Sequence, residues 1–254
     1  MILNVFHWLT NSSHWRNGHG TGGITTQLQA HVTYSFVAVL IALVIALPLG
    51  LFIGHTGRLT FLVTAANTVR ALPTVGVLVL LTVMISPNFH GRTDFGYLIP
   101  TEIVLVLLAI PPILSNTYAG VQNVNAEARD AAAAMGMTGS QVLRLVEFPC
   151  SLPLIFSGLR SATLQVIATA TIASYLPLGG LGRFIYDGLA QQDFPQMIGG
   201  AVLVALLALV TDFVLAVVQR YTVSRGVSGR FSNKSVTAGG PVAADIVQAE
   251  VAAI

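Results

Sequence analysis

The chain has 254 residues, of which 54% are hydrophobic and only 9% charged, with 12 Lys and Arg against 10 Asp and Glu. An ordinary soluble domain carries roughly 25% charged residues, so this composition cannot cover a water-facing surface, and with a mean hydropathy of +0.77 the solvent for most of the chain is lipid. A formal charge of +2 from scattered basic residues excludes a nucleic-acid surface, and one cysteine, Cys150, excludes an internal disulfide or a Cys-rich metal site.

In chain order, residues 1–23 are polar, with Trp8 and Trp15 suited to the headgroup region. They lack the basic start and apolar centre of a secretory leader, and no cleavage is expected. Gly18, Gly20 and Gly23 satisfy a G-x-G-x-x-G pattern, but no strand precedes them, so they read as a loop. A crossing helix needs about 20 mostly apolar residues. Five stretches qualify or nearly qualify, at about 32–54, 59–85, 97–119, 159–177 and 197–218. Arg70 and Pro73 interrupt the second, which is either one spanning element or a short interfacial piece over 59–67 followed by a crossing from Ala71. Pro48, Pro111 and Pro112 are expected to kink their helices. Gly50 and Gly54 form a G-x-x-x-G pair suited to close helix packing, and Gly179, Gly180 and Gly182 an extracellular turn.

Asp212 falls inside the fifth stretch, where a carboxylate is expensive. Pairing with an Arg at the cytoplasmic boundary, or a hydrogen-bonded structural role, is expected before ion coupling, because a lone acid makes a poor proton relay. The six histidines, His7, His14, His19, His31, His55 and His90, show no metal-ligand spacing and read as solvated or interfacial. Gly226, Ser228 and Gly229 resemble an intramembrane-protease serine motif, yet sit in a polar tail without a buried base. No ATP-binding G-x-x-x-x-G-K-[ST] pattern occurs, so any ATP chemistry belongs to a partner. The chain divides into an extracytoplasmic or interfacial segment over 1–28, a membrane domain over 29–225 and a flexible cytoplasmic tail over 226–254.

Residues 125–153 carry the most information. Ala fills six of the ten positions 126–135, a strong helix former whose small side chains permit close approach by another surface. Gly136 breaks that helix, Thr138 can cap a second over about 139–146, and Pro149 is expected to end it. The result is a helix-turn-helix elbow, spanning about 126–149, too polar to cross a membrane. If it is cytoplasmic, Arg58, Arg129, Arg144, Arg220, Arg225, Arg230 and Lys234 share its side against Arg16, Arg92 and Arg183 opposite. The bias of Lys and Arg toward the cytoplasm then places the N-terminus out and the C-terminus in.

The elbow resembles the EAA motif of ATP-binding-cassette importer permeases: Glu-Ala-Ala, three residues, Gly, nine residues, then Ile-x-Leu-Pro. Here Asp130, Ala131 and Ala132 are followed at those spacings by Gly136 and by Val146, Glu147, Phe148 and Pro149. Asp130, Val146 and Phe148 depart from the pattern while keeping charge sign or apolar character. Residues 115–121, 128–138 and 168–182, the last ending in Leu178, Gly179, Gly180, Leu181 and Gly182, are similar to the osmoprotectant branch for glycine betaine, carnitine and choline. Methionine and phosphonate permeases share the glycine-rich turn.

The resemblance implies an all-α, polytopic type I importer permease of the bacterial cytoplasmic membrane. It implies ATPase coupling through Asp130, Ala131, Ala132, Gly136, Met137, Val146, Phe148 and Pro149. It further implies cytoplasmic ATPase subunits that bind ATP and magnesium, a second permease, a solute-binding protein outside, and no cofactor or covalent chemistry in this chain. A secondary carrier or intramembrane enzyme is the rival reading; it would call for inverted repeats, coupling carboxylates or a nucleophile beside a base, none of which the sequence displays.

Overall fold

The computed structural model describes residues 2–16, 22–89 and 94–223. The tail over 226–254, His19, His90 and most of the glycine pattern over 18–23 lie outside these residues. Every regular element described is helical. Two short helices, α1 (Ile2–Thr10) and α2 (Ser12–Arg16), precede α3 (Ile24–Thr56), the first crossing. Next come α4 (Phe61–Thr68), α5 (Thr74–Ile85) and α6 (Phe95–Gln122). The elbow contains α7 (Ala126–Ala134) and α8 (Gly139–Val142), and α9 (Phe148–Ala173), α10 (Gly182–Gln191) and α11 (Phe194–Thr222) complete the chain.

Four helices are long and apolar enough to span a membrane, at Ile24–Thr56, Phe95–Gln122, Gly139–Ala173 and Phe194–Thr222. The second apolar stretch is a broken fifth. Its halves, Phe61–Ala71 and Thr74–Asn88, meet at 91°, because Pro73 holds Leu72 in extended backbone and stops the helix arriving from α4. The later half therefore starts at Thr74 rather than Ala71. Pro48, Pro100, Pro111 and Pro112 lie within uninterrupted helices. Near the paired prolines, Ser115 Oγ donates to the Pro111 carbonyl (2.7 Å) and Asn116 Nδ2 to that of Pro112 (2.8 Å).

Helices α3, α6 and α9 form the core, and they touch where side chains are smallest. A Cβ on Gly50 would lie 2.7 Å from Thr117 Cβ, and one on Gly54 would lie 2.6 Å from Val121 Cβ. The G-x-x-x-G pair thus packs α3 on α6 within one subunit. Gly158 of α9 meets the Pro112 carbonyl and Asn116 Cβ, both at 2.7 Å from its would-be Cβ. Around these contacts Ala38, Ala42, Ala46, Leu105, Ala109, Ile113, Ala162 and Val166 are fully buried.

The N-terminal residues do more than float at an interface. Trp8 is buried, packs edge-on against Phe184 of α10 (ring centroids 5.5 Å apart) and lies over Gly199 of α11. Helix α10 itself falls in a region the hydrophobic pattern leaves as loop.

Gly158→Leu should destabilise the bundle by about 1–3 kcal/mol through overpacking, read as a lower thermal midpoint in detergent. Gly76→Ala is the control, because its added Cβ meets only the Pro73 ring, at ordinary contact distances of 3.4 and 3.8 Å.

Candidate functional site

At one end of the bundle the chain leaves α6 and folds into the elbow. Asn125 caps α7, its side chain accepting the Glu127 N–H (2.9 Å). The helix closes in a Schellman turn: Met137 N–H reaches the Ala132 carbonyl (3.2 Å) and Gly136 N–H that of Ala133 (2.9 Å), with Gly136 at φ +84°. Nothing lies within 4 Å of a Cβ built on Gly136, so within this chain glycine is required there for its left-handed backbone. At the start of α8, the Gln141 side chain accepts the Thr138 N–H (2.7 Å), as in a capping box.

Pro149 does not end this second helix. Residues Leu143–Glu147 form a π-helical turn that runs straight into α9, giving one continuous helix over Gly139–Ala173. Phe148 N–H bonds the Leu143 carbonyl, five residues back. The widened turn accommodates a proline that has no N–H to give. The fourth crossing therefore begins inside the elbow, well before residue 159.

The predicted site residues separate into two groups. Asp130, Ala131 and Gly136 are exposed, and with the exposed Ala133, Ala134 and Met135 between them they give the elbow a mostly small, apolar outer face beside the acids Glu127 and Asp130. Ala132 is buried against the elbow, and Met137, Val146, Phe148 and Pro149 are half-buried.

Between these groups sits Glu147, an unspecified position in the motif and only 2% exposed. His55 at the end of α3 donates from Nδ1 to Oε2 (2.7 Å), and Arg129 of α7 brings Nε to within 3.1 Å of Oε1. Arg129 Nη2 also donates to the Val121 carbonyl in the last turn of α6. Beside it, Gln122 Nε2 donates to the Gly54 carbonyl (2.7 Å), tying α6 to α3. A buried carboxylate thus fastens the elbow to the ends of two crossings, so α7 cannot shift independently of them without uncovering a charge. His55 is part of this clasp and not a solvated histidine. Sequence reading missed Glu147 because its partner His55 is 92 residues away; the available signal was an acid within the otherwise apolar run Leu145, Val146 and Phe148.

The opposite end is tied by polar groups of α3. Gly179 and Gly180 make their turn at φ +85° and +104°. Gln27 Oε1 accepts the Gly180 N–H (2.5 Å), and Tyr34 donates to the Leu178 carbonyl (2.8 Å). His31, expected at an interface, is fully buried. Its Nε2 donates to the Ile167 carbonyl (3.1 Å) while Nδ1 accepts the Leu181 N–H (3.3 Å), which requires the neutral ring. Between the two ends, Asp212 of α11 pairs with Arg160 of α9 through two hydrogen bonds of 2.7 and 2.8 Å. No metal-binding group of His, Cys, Asp or Glu occurs among the described residues.

Residues 46–225 match the family model of the binding-protein-dependent transport system inner membrane component. The chain belongs to that family. It is a multi-pass membrane permease subunit of an ATP-binding-cassette importer that depends on a solute-binding protein. The permease is 34% identical over 200 residues to a glycine betaine/carnitine/choline transport system permease of Bacillus subtilis, covering 78% of this chain and 88% of that one. It is 32% identical over 198 residues to an osmoprotectant import permease of Salmonella typhimurium, covering 78% and 90%. An inward-facing structure of a methionine ABC transporter superposes with a TM-score of 0.67 at 20% identity, over 79% of this chain and 96% of that one, and shares the type I permease fold.

Breaking a fully buried ion pair costs about 3–5 kcal/mol and an exposed one at most about 1. Glu147 is buried while Arg129 and His55 are about a quarter exposed, so Glu147→Ala should fall between these limits. Hydrogen exchange over residues 126–137 should rise in that variant and stay unchanged in Asp130→Ala, whose side chain is exposed. Equal protection in wild type and Glu147→Ala would show that the clasp does not hold the elbow.

Proposed function

We propose that this permease carries a small quaternary-ammonium osmoprotectant, such as glycine betaine, carnitine or choline, into a bacterial cell. The observation that carries the solute class is the set of relatives at about one-third identity over most of both chains, named for those compounds. The methionine transporter, at 20% identity, bears on the fold alone.

In this reading the exposed face of Asp130, Ala131, Met135 and Gly136 docks in a cleft of the ATPase, whose small-residue complement tolerates close approach. Val146, Phe148 and Pro149 continue that contact into the fourth crossing. ATP and magnesium stay on the ATPase, and the permease makes and breaks no covalent bond. Two permease copies, or this chain with a similar one, enclose the pathway. Closure of the ATPases pushes on the elbows, and the Glu147 clasp with the continuous Gly139–Ala173 helix passes the movement to α3 and α9 as a rigid-body switch. The elbow end faces the cytoplasm and the glycine-turn end faces outward.

Orientation is checked by cysteine labelling after Cys150→Ser. An impermeant maleimide applied to intact cells should modify Asn88→Cys and spare Ser140→Cys; the reverse pattern would invert the topology. Transport is checked in proteoliposomes holding permease, ATPase and binding protein. ATP-driven uptake of glycine betaine or choline, with none of methionine, is expected. Gly136→Asp should insert normally yet lose ATPase association and uptake, since an aspartate there meets both a strained φ and the docking surface. Full uptake by that variant with the ATPase bound would reduce the elbow to a connector.

A further inference from the structure

The third crossing carries an acid outside every motif of the chain. Glu102 lies in α6, inside an apolar spanning helix. Its Oε2 is shut off from solvent and has no hydrogen-bond partner. Among the described residues no Lys, Arg or His pairs with it, whereas Asp212, the acid of the fifth crossing, has Arg160 held by two hydrogen bonds. A carboxylate at membrane depth is costly and an acceptor left without a donor adds to that cost, so the packing of this chain alone does not account for Glu102.

The helix register locates what faces it. Gly50 sits on Thr117 and Gly54 on Val121, so α3 and α6 run parallel with a constant offset. Followed toward the glycine turn, that offset brings Glu102 to the level of Tyr34 and Ser35. The buried pairs Ala38 and Leu105, Ala42 and Ala109, and Ala46 and Ile113 keep that same offset along the two helices. The Tyr34 ring is half-buried and pinned, because its hydroxyl donates to the Leu178 carbonyl (2.8 Å). Ser35 Oγ is buried and likewise without a partner. One level of the bundle, just beneath the glycine turn, thus holds an uncompensated carboxylate and a fixed aromatic ring, while Ser35 faces the α9 and α11 side beside Thr163 and Ile167.

That set suits a particular ligand chemistry. A quaternary ammonium has no N–H, so it asks for negative charge and aromatic faces rather than directed acceptors. A metal ion would need several oxygen ligands converging at short range, and no such group is present among the described residues. We infer that Glu102 and Tyr34 form a transient site, within the permease itself, for the cationic head of the solute on its way from the binding protein. The inference rests on the quaternary-ammonium reading above.

The test uses the complete complex in proteoliposomes with labelled choline. Loss of a charge contact at this site should reduce choline carried per ATP hydrolysed about tenfold, or about 1.4 kcal/mol, in Glu102→Gln and less than about threefold in Glu102→Asp. Binding-protein-stimulated ATP hydrolysis should change little in either, which a structural defect would not allow. Tyr34→Phe, which keeps the ring, should transport better than Tyr34→Leu.

A measurement on the unaltered chain guards against variants that fail to fold. Choline should slow modification of Glu102 by a membrane-permeant carbodiimide, and methionine should not. Wild-type choline yield per ATP in Glu102→Gln, or no protection by choline, overturns this inference and leaves the importer reading standing. Absence of choline and betaine uptake by the wild-type complex overturns both.

Discussion

In hydrocarbon an apolar side chain gains nothing by leaving lipid for a neighbouring helix, so a membrane bundle depends on dispersion contacts and hydrogen bonds between closely approaching backbones. In this permease the approach is made by glycines. Gly50 and Gly54 admit Thr117 and Val121 of α6, and Gly158 admits the Pro112 carbonyl and Asn116, at distances no side chain would allow. A core of Ala38, Ala42, Ala46, Ala109 and Ala162 extends the same logic along the three helices. Large apolar residues such as Phe36, Leu209 and Phe213 point outward, the inverse of a soluble protein, because lipid accepts them without penalty.

With three helices so closely packed, their two ends are secured by polar groups. At the glycine turn, Gln27, His31 and Tyr34, at successive helical intervals on α3, satisfy the backbone of a segment containing two left-handed glycines. At the elbow, Glu147 gathers His55 and Arg129. Each arrangement satisfies backbone or charge that lipid could not. Both also join α3, the first crossing, to residues more than ninety positions later, so the first helix is fastened at either end of the bundle.

The elbow combines two mechanical properties. Its outer face is small and exposed, while its inner side is locked by a buried acid and leads into the fourth crossing without a joint. The π turn over Leu143–Glu147 makes this possible: by spacing the backbone bonds one residue wider, it carries the helix past Pro149 and turns Glu147 inward. A proline that would otherwise separate elbow from crossing becomes part of a single lever.

Composition and periodicity by themselves determined that the chain lives in lipid, that it crosses about five times, and that a polar alanine-rich elbow interrupts the crossings. These are local properties, readable because a membrane demands long apolar runs and a helix demands particular residues at its ends, as at Gly136 and Thr138. The exposure of Asp130, Ala131 and Gly136 followed from the same local logic. Only the tertiary structure decided what each polar residue meets. It buried His31, tied His55 to Glu147, gave Asp212 its partner Arg160, drew Glu147 out of a motif's unspecified position, and left Glu102 without a counterion among the described residues. It also carried the helix through Pro149 and folded Trp8 back onto α10 and α11. The physical reason is common to all of these: inside a bundle a charge or ring is defined by its neighbours, and those neighbours come from distant parts of the chain, which no local pattern can record.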